Sequence, residues 1–144
     1  MTDTTSAPAG RRAGFVAPRL SGTVRIVGAG LLVASIGPAL RAKGVDVVLT
    51  DASPAKLRLA IDYGAGRISA EDDAPSLIVV AVPPDVTADV IQAELERFPG
   101  AVVTDVASVK LEPFRTLQER GVDLARYIGS HPLAGRERGG AISA

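Results

Sequence analysis

The sequence predicts an α/β fold of the doubly wound type: one parallel sheet with helices on both faces. Three observations carry that prediction. Short β-branched runs alternate with helical stretches along the chain, which is the pattern of a parallel sheet with right-handed crossovers. One run, Ser76–Val82 (SLIVVAV), is apolar without a break, as a strand buried on both faces requires. Finally, the run around Val24, Ile26 and Val27 breaks at Gly28-Ala29-Gly30 into an apolar-rich helical pattern. Strand, glycine turn and helix in that order are the context of a dinucleotide-binding fingerprint.

Each element has a local reason. Residues Met1–Gly22 are rich in Thr, Ser, Ala, Pro and Gly and show no periodicity, so they are expected to form a disordered leader, with a single domain over 23–144. After the first strand, a helix is expected from about Gly30 to Lys43, with Leu31, Leu32, Ile36, Ala39 and Leu40 as its apolar stripe. Pro38 falls inside it, at a cost of roughly 3 kcal/mol or a kink, and Gly44 closes it. Asp46–Thr50 (DVVLT) reads as the second strand and ends at Asp51. Ser53-Pro54 is an N-cap with proline at the first helical position, and that helix should run to about Tyr63 and stop at Gly64.

Arg67–Ser69 is a very short third strand, and an acidic turn leads to the fourth at Ser76–Val82. Pro83-Pro84 opens a helix to about Phe98, with Val86, Val90, Ile91 and Leu95 on one face. Pro99-Gly100 turns the chain into Ala101–Val106. Ser108 is expected to cap a helix reaching Arg120, and Arg126–Gly129 is the last strand, leading into Ser130-His131-Pro132-Leu133-Ala134-Gly135. The expected strand order is 3-2-1-4-5-6, with a crevice at the carboxyl ends of strands one and four. Gly28, Asp51, Pro83, Ser108 and His131 all follow strands, so this topology gathers them along one edge.

Composition narrows the function. With 144 residues there is room for one domain with a proper core, but not comfortably for two. Sixteen basic residues balance 16 acidic ones, which argues against nucleic acid or an anionic membrane as the main partner. The chain has no cysteine and one histidine, so disulfides, thiolate catalysis and multi-histidine metal sites are excluded, and no metal is expected. Arg11-Arg12 before Phe15 has a slight likeness to a twin-arginine signal, but Pro18 and Arg19 interrupt the apolar core that should follow. No apolar run is long enough to span a membrane. The expectation is a cytoplasmic protein.

The glycine turn is the first candidate site. Gly28 permits the tight turn, and Gly30 lets backbone approach a pyrophosphate facing the helix N-terminus. Ala29, Leu31 and Leu32 complete the expected cofactor-binding turn. Its other reading is a purely structural turn. Asp51 lies at the spacing of the acid that binds the adenosine ribose, where its charge favours NAD over NADP; alternatively it is a helix-start acid beside Ser53. Val82 and Pro83 line the nicotinamide side of the crevice, or simply begin a helix. Asp105 and Lys110 read as structural or solvated. His131 carries the side-chain type best suited to proton transfer beside a nicotinamide, although a histidine before proline in a loop is commonly structural.

These segments resemble the prephenate dehydrogenase family, including its arogenate-using relatives. The matching stretches are VGAGLLVASIGPAL, Asp51, VVAVPP, VVTDVASVK and YIGSHPLAGRERGGA, in the family's order over about Val24 to Ala141. The resemblance implies a Rossmann-type nucleotide-binding domain and NAD(P)-dependent oxidative decarboxylation of prephenate or arogenate in tyrosine biosynthesis. It implies His131 as acceptor of the substrate hydroxyl proton. It implies Ser108 as the serine that orients histidine and hydroxyl, and Gly28, Gly30 and Asp51 as dinucleotide ligands. Glu137 falls at the family's acid after H-P-x-A-G, with no role assigned.

Three departures stand against this pattern. Val33 replaces the third glycine and is expected to push the helix from strand one and weaken pyrophosphate contact. Pro38 interrupts the helix. The chain also stops at Ala144, so it is expected to be truncated, lacking the C-terminal helical domain through which the family forms homodimers. Arg136 and Arg138 offer charge for a carboxylate substrate. The alternatives are a non-catalytic Rossmann module or decayed fragment, and a different dehydrogenase acting on a small hydroxy acid.

Overall fold

The computed structural model describes residues 20–132; the Met1–Arg19 part of the expected leader, and Leu133 onward with Arg136, Glu137 and Arg138, lie outside them. Six parallel strands form one sheet in the order β3-β2-β1-β4-β5-β6, as the alternation of elements predicts. They are β1 (Thr23–Val27), β2 (Asp46–Thr50), β3 (Arg67–Ile68), β4 (Pro75–Val80), β5 (Val102–Asp105) and β6 (Tyr127–Gly129). Between them run α1 (Leu31–Arg41), α2 (Pro54–Asp62), α3 (Pro84–Arg97) and α4 (Leu111–Glu119).

Sheet parity divides the core in two. Val24, Ile26, Val47, Leu49 and Val79 face α1 and α2 and pack on Val33 and Ala60. Ile78, Val80 and Val103 face α3 and α4 and pack on Ala88, Ile91, Leu95 and Leu117. Ile78, Val79 and Val80 are all buried, which confirms that β4 is covered on both faces.

Arg25 interrupts the apolar run of β1 and stands on the α3 face at 4 % exposure. Its Nε donates to Glu94 Oε2 (2.8 Å) and Nη2 to Oε1 (3.2 Å), while Nη1 donates to Ser69 Oγ (2.6 Å). The guanidinium also lies 5.3 Å from the Phe98 ring centroid. A buried charge survives only when paired and hydrogen-bonded in this way.

The helix boundaries correct several expectations. α1 ends at Arg41, yet Gly44 still closes it: Gly44 N–H donates to Arg41 C=O (2.9 Å) and Val45 N–H to Leu40 C=O (3.2 Å), the paired bonds of a glycine terminator. The same pair recurs at Gly64 and Gly121. α1 continues through Pro38, with Ala42 N–H donating to the Pro38 carbonyl (2.9 Å). Its buried residues are Val33, Ala34 and Gly37, while of the expected stripe Ile36 and Leu40 are half-buried against the core and Ala39 is exposed. The small residues let the helix approach the loop before β3, where a Cβ on Gly37 would come 2.2 Å from the Ala65 carbonyl oxygen.

Val86 is likewise 39 % exposed, and α3 buries Thr87, Ala88, Ile91, Glu94 and Leu95. Val33, expected to wedge α1 away from β1, is instead fully buried in the cluster with Val24, Ile26 and Ala29. Ser108 does not cap α4. That helix begins at Leu111, its cap position is Lys110, and no side chain caps it.

Candidate functional site

The glycine turn sits where the ends of three central strands meet. Gly28 N–H donates to Thr50 C=O (2.8 Å) beyond β2, and Ala81 N–H to Val27 C=O (2.7 Å) beyond β4. At φ +108° Gly28 holds a conformation that side-chain-bearing residues rarely adopt, and a Cβ there would lie 2.2 Å from the Ala81 carbonyl oxygen. Gly30 differs. It has ordinary backbone angles, and nothing lies within 4 Å of the position its Cβ would take. Gly28 is therefore demanded by the fold, whereas Gly30 leaves open space at the N-terminus of α1.

That space is a cleft of about 220 Å³ lined by Gly30, Leu31, Leu32, Val33, Ala81, Val82, Val106 and Ala107. No side chain caps α1 and its first turn has no acid, so the first-turn N–H groups carry the helix's partial positive charge into the cleft. A group of opposite charge fits there.

Asp51 closes the turn from behind. Its Oδ2 accepts from Ala29 N–H (2.7 Å) and its Oδ1 from Ser53 N–H (2.6 Å). The helix-start reading of this acid holds, since it braces the start of α2 through Ser53, and it also clamps the glycine turn. Ser53 Oγ in turn accepts from Lys56 N–H (3.4 Å), the predicted cap. Of the other expected cofactor residues, Val82 lines the cleft, while Pro83 is exposed and its carbonyl accepts from the Thr87 hydroxyl (3.0 Å) at the start of α3.

A second cleft, of about 420 Å³, opens on the α1 side of β4 and β5 and is lined by Ile36, Val79, Thr104, Val106, Ser130, His131 and Pro132. Val106 belongs to both clefts, so the two adjoin at the carboxyl ends of the strands, the glycine turn lining one and His131 the other. His131 is exposed at its rim. Ser108 is exposed one residue beyond Ala107 and lines neither cleft.

On the opposite face of the sheet lies a cluster that the sequence left unassembled. The Asp105 side chain, 1 % exposed, takes the Tyr127 hydroxyl on Oδ2 (2.5 Å) and both Ala107 N–H (3.0 Å) and the Lys110 ammonium on Oδ1. Burial, with this hydrogen bond second, pushes the Tyr127 phenol well above its ordinary value, since a tyrosinate would face a buried carboxylate. Asp105 and Lys110 are structural here, as expected. Tyr127 was missed, and the charged Asp105 ending an apolar strand was the signal that it needed partners. Among the described residues no group of three or more acids or histidines could hold a metal ion, and no helix is long and apolar enough to cross a membrane.

The comparisons with known proteins agree with this geometry. Residues 36–144 match the family model described as the prephenate dehydrogenase nucleotide-binding domain. The chain is 43 % identical over 122 residues to the probable prephenate dehydrogenase NovF of Streptomyces niveus, covering 85 % of this chain and 34 % of that protein. Its fold matches the prephenate dehydrogenase from A. aeolicus, solved in complex with hydroxyphenyl propionate and NAD+ (TM-score 0.72, 27 % identity, 86 % of this chain and 46 % of that one). It also matches Synechocystis arogenate dehydrogenase (TM-score 0.68, 26 % identity, 85 % and 45 %). The chain spans about a third of the curated relative and under half of each of these solved chains. With a Rossmann-type sheet, a glycine turn open at Gly30 and most of its length matching that domain, the chain belongs to the prephenate dehydrogenase family, as its nucleotide-binding domain.

Proposed function

We propose that this chain binds NAD and serves as the nucleotide-binding half of an enzyme that oxidatively decarboxylates prephenate or arogenate. The observation that carries the reading is the pair of adjoining clefts, Gly30 lining one, His131 the other and Val106 both. The open side of Gly30 and the uncapped first turn of α1 fit a diphosphate. Leu31, Leu32 and Val82 form the apolar wall that follows, as nucleotide clefts require.

Asp51 would receive the adenosine ribose hydroxyls. Each of its oxygens keeps an acceptor site beyond the one N–H it already holds. A second negative charge on that ribose would be repelled, because like charges about 4 Å apart at a protein surface interact by up to about 4 kcal/mol. NAD is therefore the preferred cofactor over NADP. When bound, the dinucleotide supplies the hydride acceptor. His131 takes the proton from the substrate hydroxyl as hydride leaves the carbon that bears it, and loss of carbon dioxide aromatises the ring. Ser108 orients the histidine and that hydroxyl.

A second reading, a nucleotide-binding module without turnover, is favoured by one observation: Ser108 lines neither cleft. Calorimetric titration with NAD, followed by incubation with NAD and prephenate at 340 nm, separates the two. Binding with turnover supports the enzyme. Binding without turnover leaves the half-enzyme reading or the module, and absence of binding counts against both. Asp51→Ala should weaken NAD at least tenfold.

A further inference from the structure

The polar cluster behind the crevice joins the two segments that carry the proposed catalytic residues. Ala107, whose N–H donates to Asp105 Oδ1, immediately precedes Ser108. Ser130, which immediately precedes His131, donates its N–H (3.0 Å) and its hydroxyl (2.7 Å) to the Asp105 carbonyl. Thr104, on the cleft face, adds a bond from its hydroxyl to Ser130 Oγ (3.3 Å). β6, which leads into His131, is tied a second time through the Tyr127 hydroxyl on Asp105 Oδ2 (2.5 Å). Lys110 closes the loop over 106–110 by reaching both the Asp105 carboxylate and its carbonyl oxygen (3.4 Å).

We propose that Asp105 is a positioning residue for the site, its buried carboxylate fixing the Ser108 loop against β6, the strand that leads into His131. Three features support the assignment. Among the described residues the loop has no other side-chain anchor: its Val106 N–H bonds the Val80 carbonyl (3.1 Å) through backbone alone, α4 starts without a side-chain cap, and neither Ser108 nor Val109 is buried. The carboxylate is held by three donors on two segments, Ala107 and Lys110 of the loop and Tyr127 of β6, so it acts as a junction rather than as one half of a surface pair. It also stands on the α4 side of the sheet, with Val103, while Thr104 between them faces the cleft. Asp105 therefore sets the geometry of the crevice without occupying it. Retaining a desolvated ion at this position, where an apolar side chain would pack, is costly unless its bonds are used.

The roles of Ser108 and His131 rest on the dehydrogenase reading, but the positioning itself does not. The test is backbone relaxation and imidazole NMR on the full chain, in which the lone histidine gives a single assignable ring. In wild type, the Ala107, Ser108 and His131 amides should show order parameters near the rigid value of about 0.85. In Asp105→Asn, those of Ala107 and Ser108 should fall below about 0.6, with β1 and β4 unchanged. Tyr127→Phe, which deletes one hydroxyl, should loosen the same loop and split or broaden the His131 ring signals with NAD bound.

Unchanged order parameters and ring signals in folded Tyr127→Phe overturn the proposal. That variant decides alone if Asp105→Asn does not fold. A uniform loss of order across the sheet would also overturn it, since Asp105 would then serve general stability. If NAD leaves the Gly28–Leu32 amides of wild type unmoved, the dehydrogenase reading fails while the relaxation measurement still decides the positioning role.

Discussion

Gly28 and Gly30 are two residues apart in one turn, and the structure gives them opposite jobs. A methyl group on Gly28 meets the Ala81 carbonyl oxygen at 2.2 Å and its carbon at 2.8 Å, both backbone atoms of a central strand's exit that cannot rotate away. Overpacking of this kind costs about 1–3 kcal/mol. The φ of +108° adds about 1–2 kcal/mol for any residue with a Cβ. Gly28→Ala should therefore lose about 2–5 kcal/mol. At about 4 °C per kcal/mol for a domain of this size, that is a Tm lowered by roughly 8–20 °C.

Gly30→Ala meets nothing within 4 Å and keeps an ordinary backbone. The small penalty for alanine at an N-cap is offset by the reduced freedom of the unfolded chain, so stability should move by less than about 0.5 kcal/mol. Its methyl group would instead stand where a diphosphate must approach, so NAD affinity should drop at least tenfold. Differential scanning fluorimetry and NAD titration on the two variants read both quantities. A Gly28→Ala protein melting within about 2 °C of wild type, or a Gly30→Ala protein binding NAD normally, would refute the division of labour.

Two further outcomes follow from the packing. Val33→Ala removes two carbons from a fully buried site and should cost about 2–3 kcal/mol in urea unfolding, so that shrinking this residue destabilises α1 rather than relieving it. The Tyr127 phenol is raised in the folded state, so the native chain holds that proton after the unfolded chain releases its own near pH 10. Stability should be fully present below about pH 10 and decline as pH rises beyond it, and Tyr127→Phe should flatten that decline in alkaline denaturation curves.

What the sequence revealed follows from how far apart the interacting residues stand. The glycine turn, the cap at Ser53 and the three glycine terminators at Gly44, Gly64 and Gly121 are each decided within a few residues, and each was legible. Strand order followed because alternating elements permit few arrangements. The faces of α1 and α3 were legible through Ile36, Leu40, Val90, Ile91 and Leu95, which pack on the core, but apolar content alone does not mark their edges: Gly37 and Glu94 are buried while Ala39 and Val86 are not. Glu94 is drawn in by Arg25, 69 residues away, and no local pattern announces that pair. Ser108 looks like a cap because it stands before a helical stretch. The loop after β5 is instead drawn toward Asp105 by Ala107 and Lys110, and the helix starts two residues late.

The guanidinium at the centre of β1 has a consequence for how the molecule comes apart. It is bonded to the segment after β3 through Ser69 and to α3 through Glu94, one from each wing of the sheet. Should either wing peel away, an ion would be stranded in a dry interior. Partial opening is thus the expensive route, and the two apolar layers are compelled to melt in concert although they share few side chains.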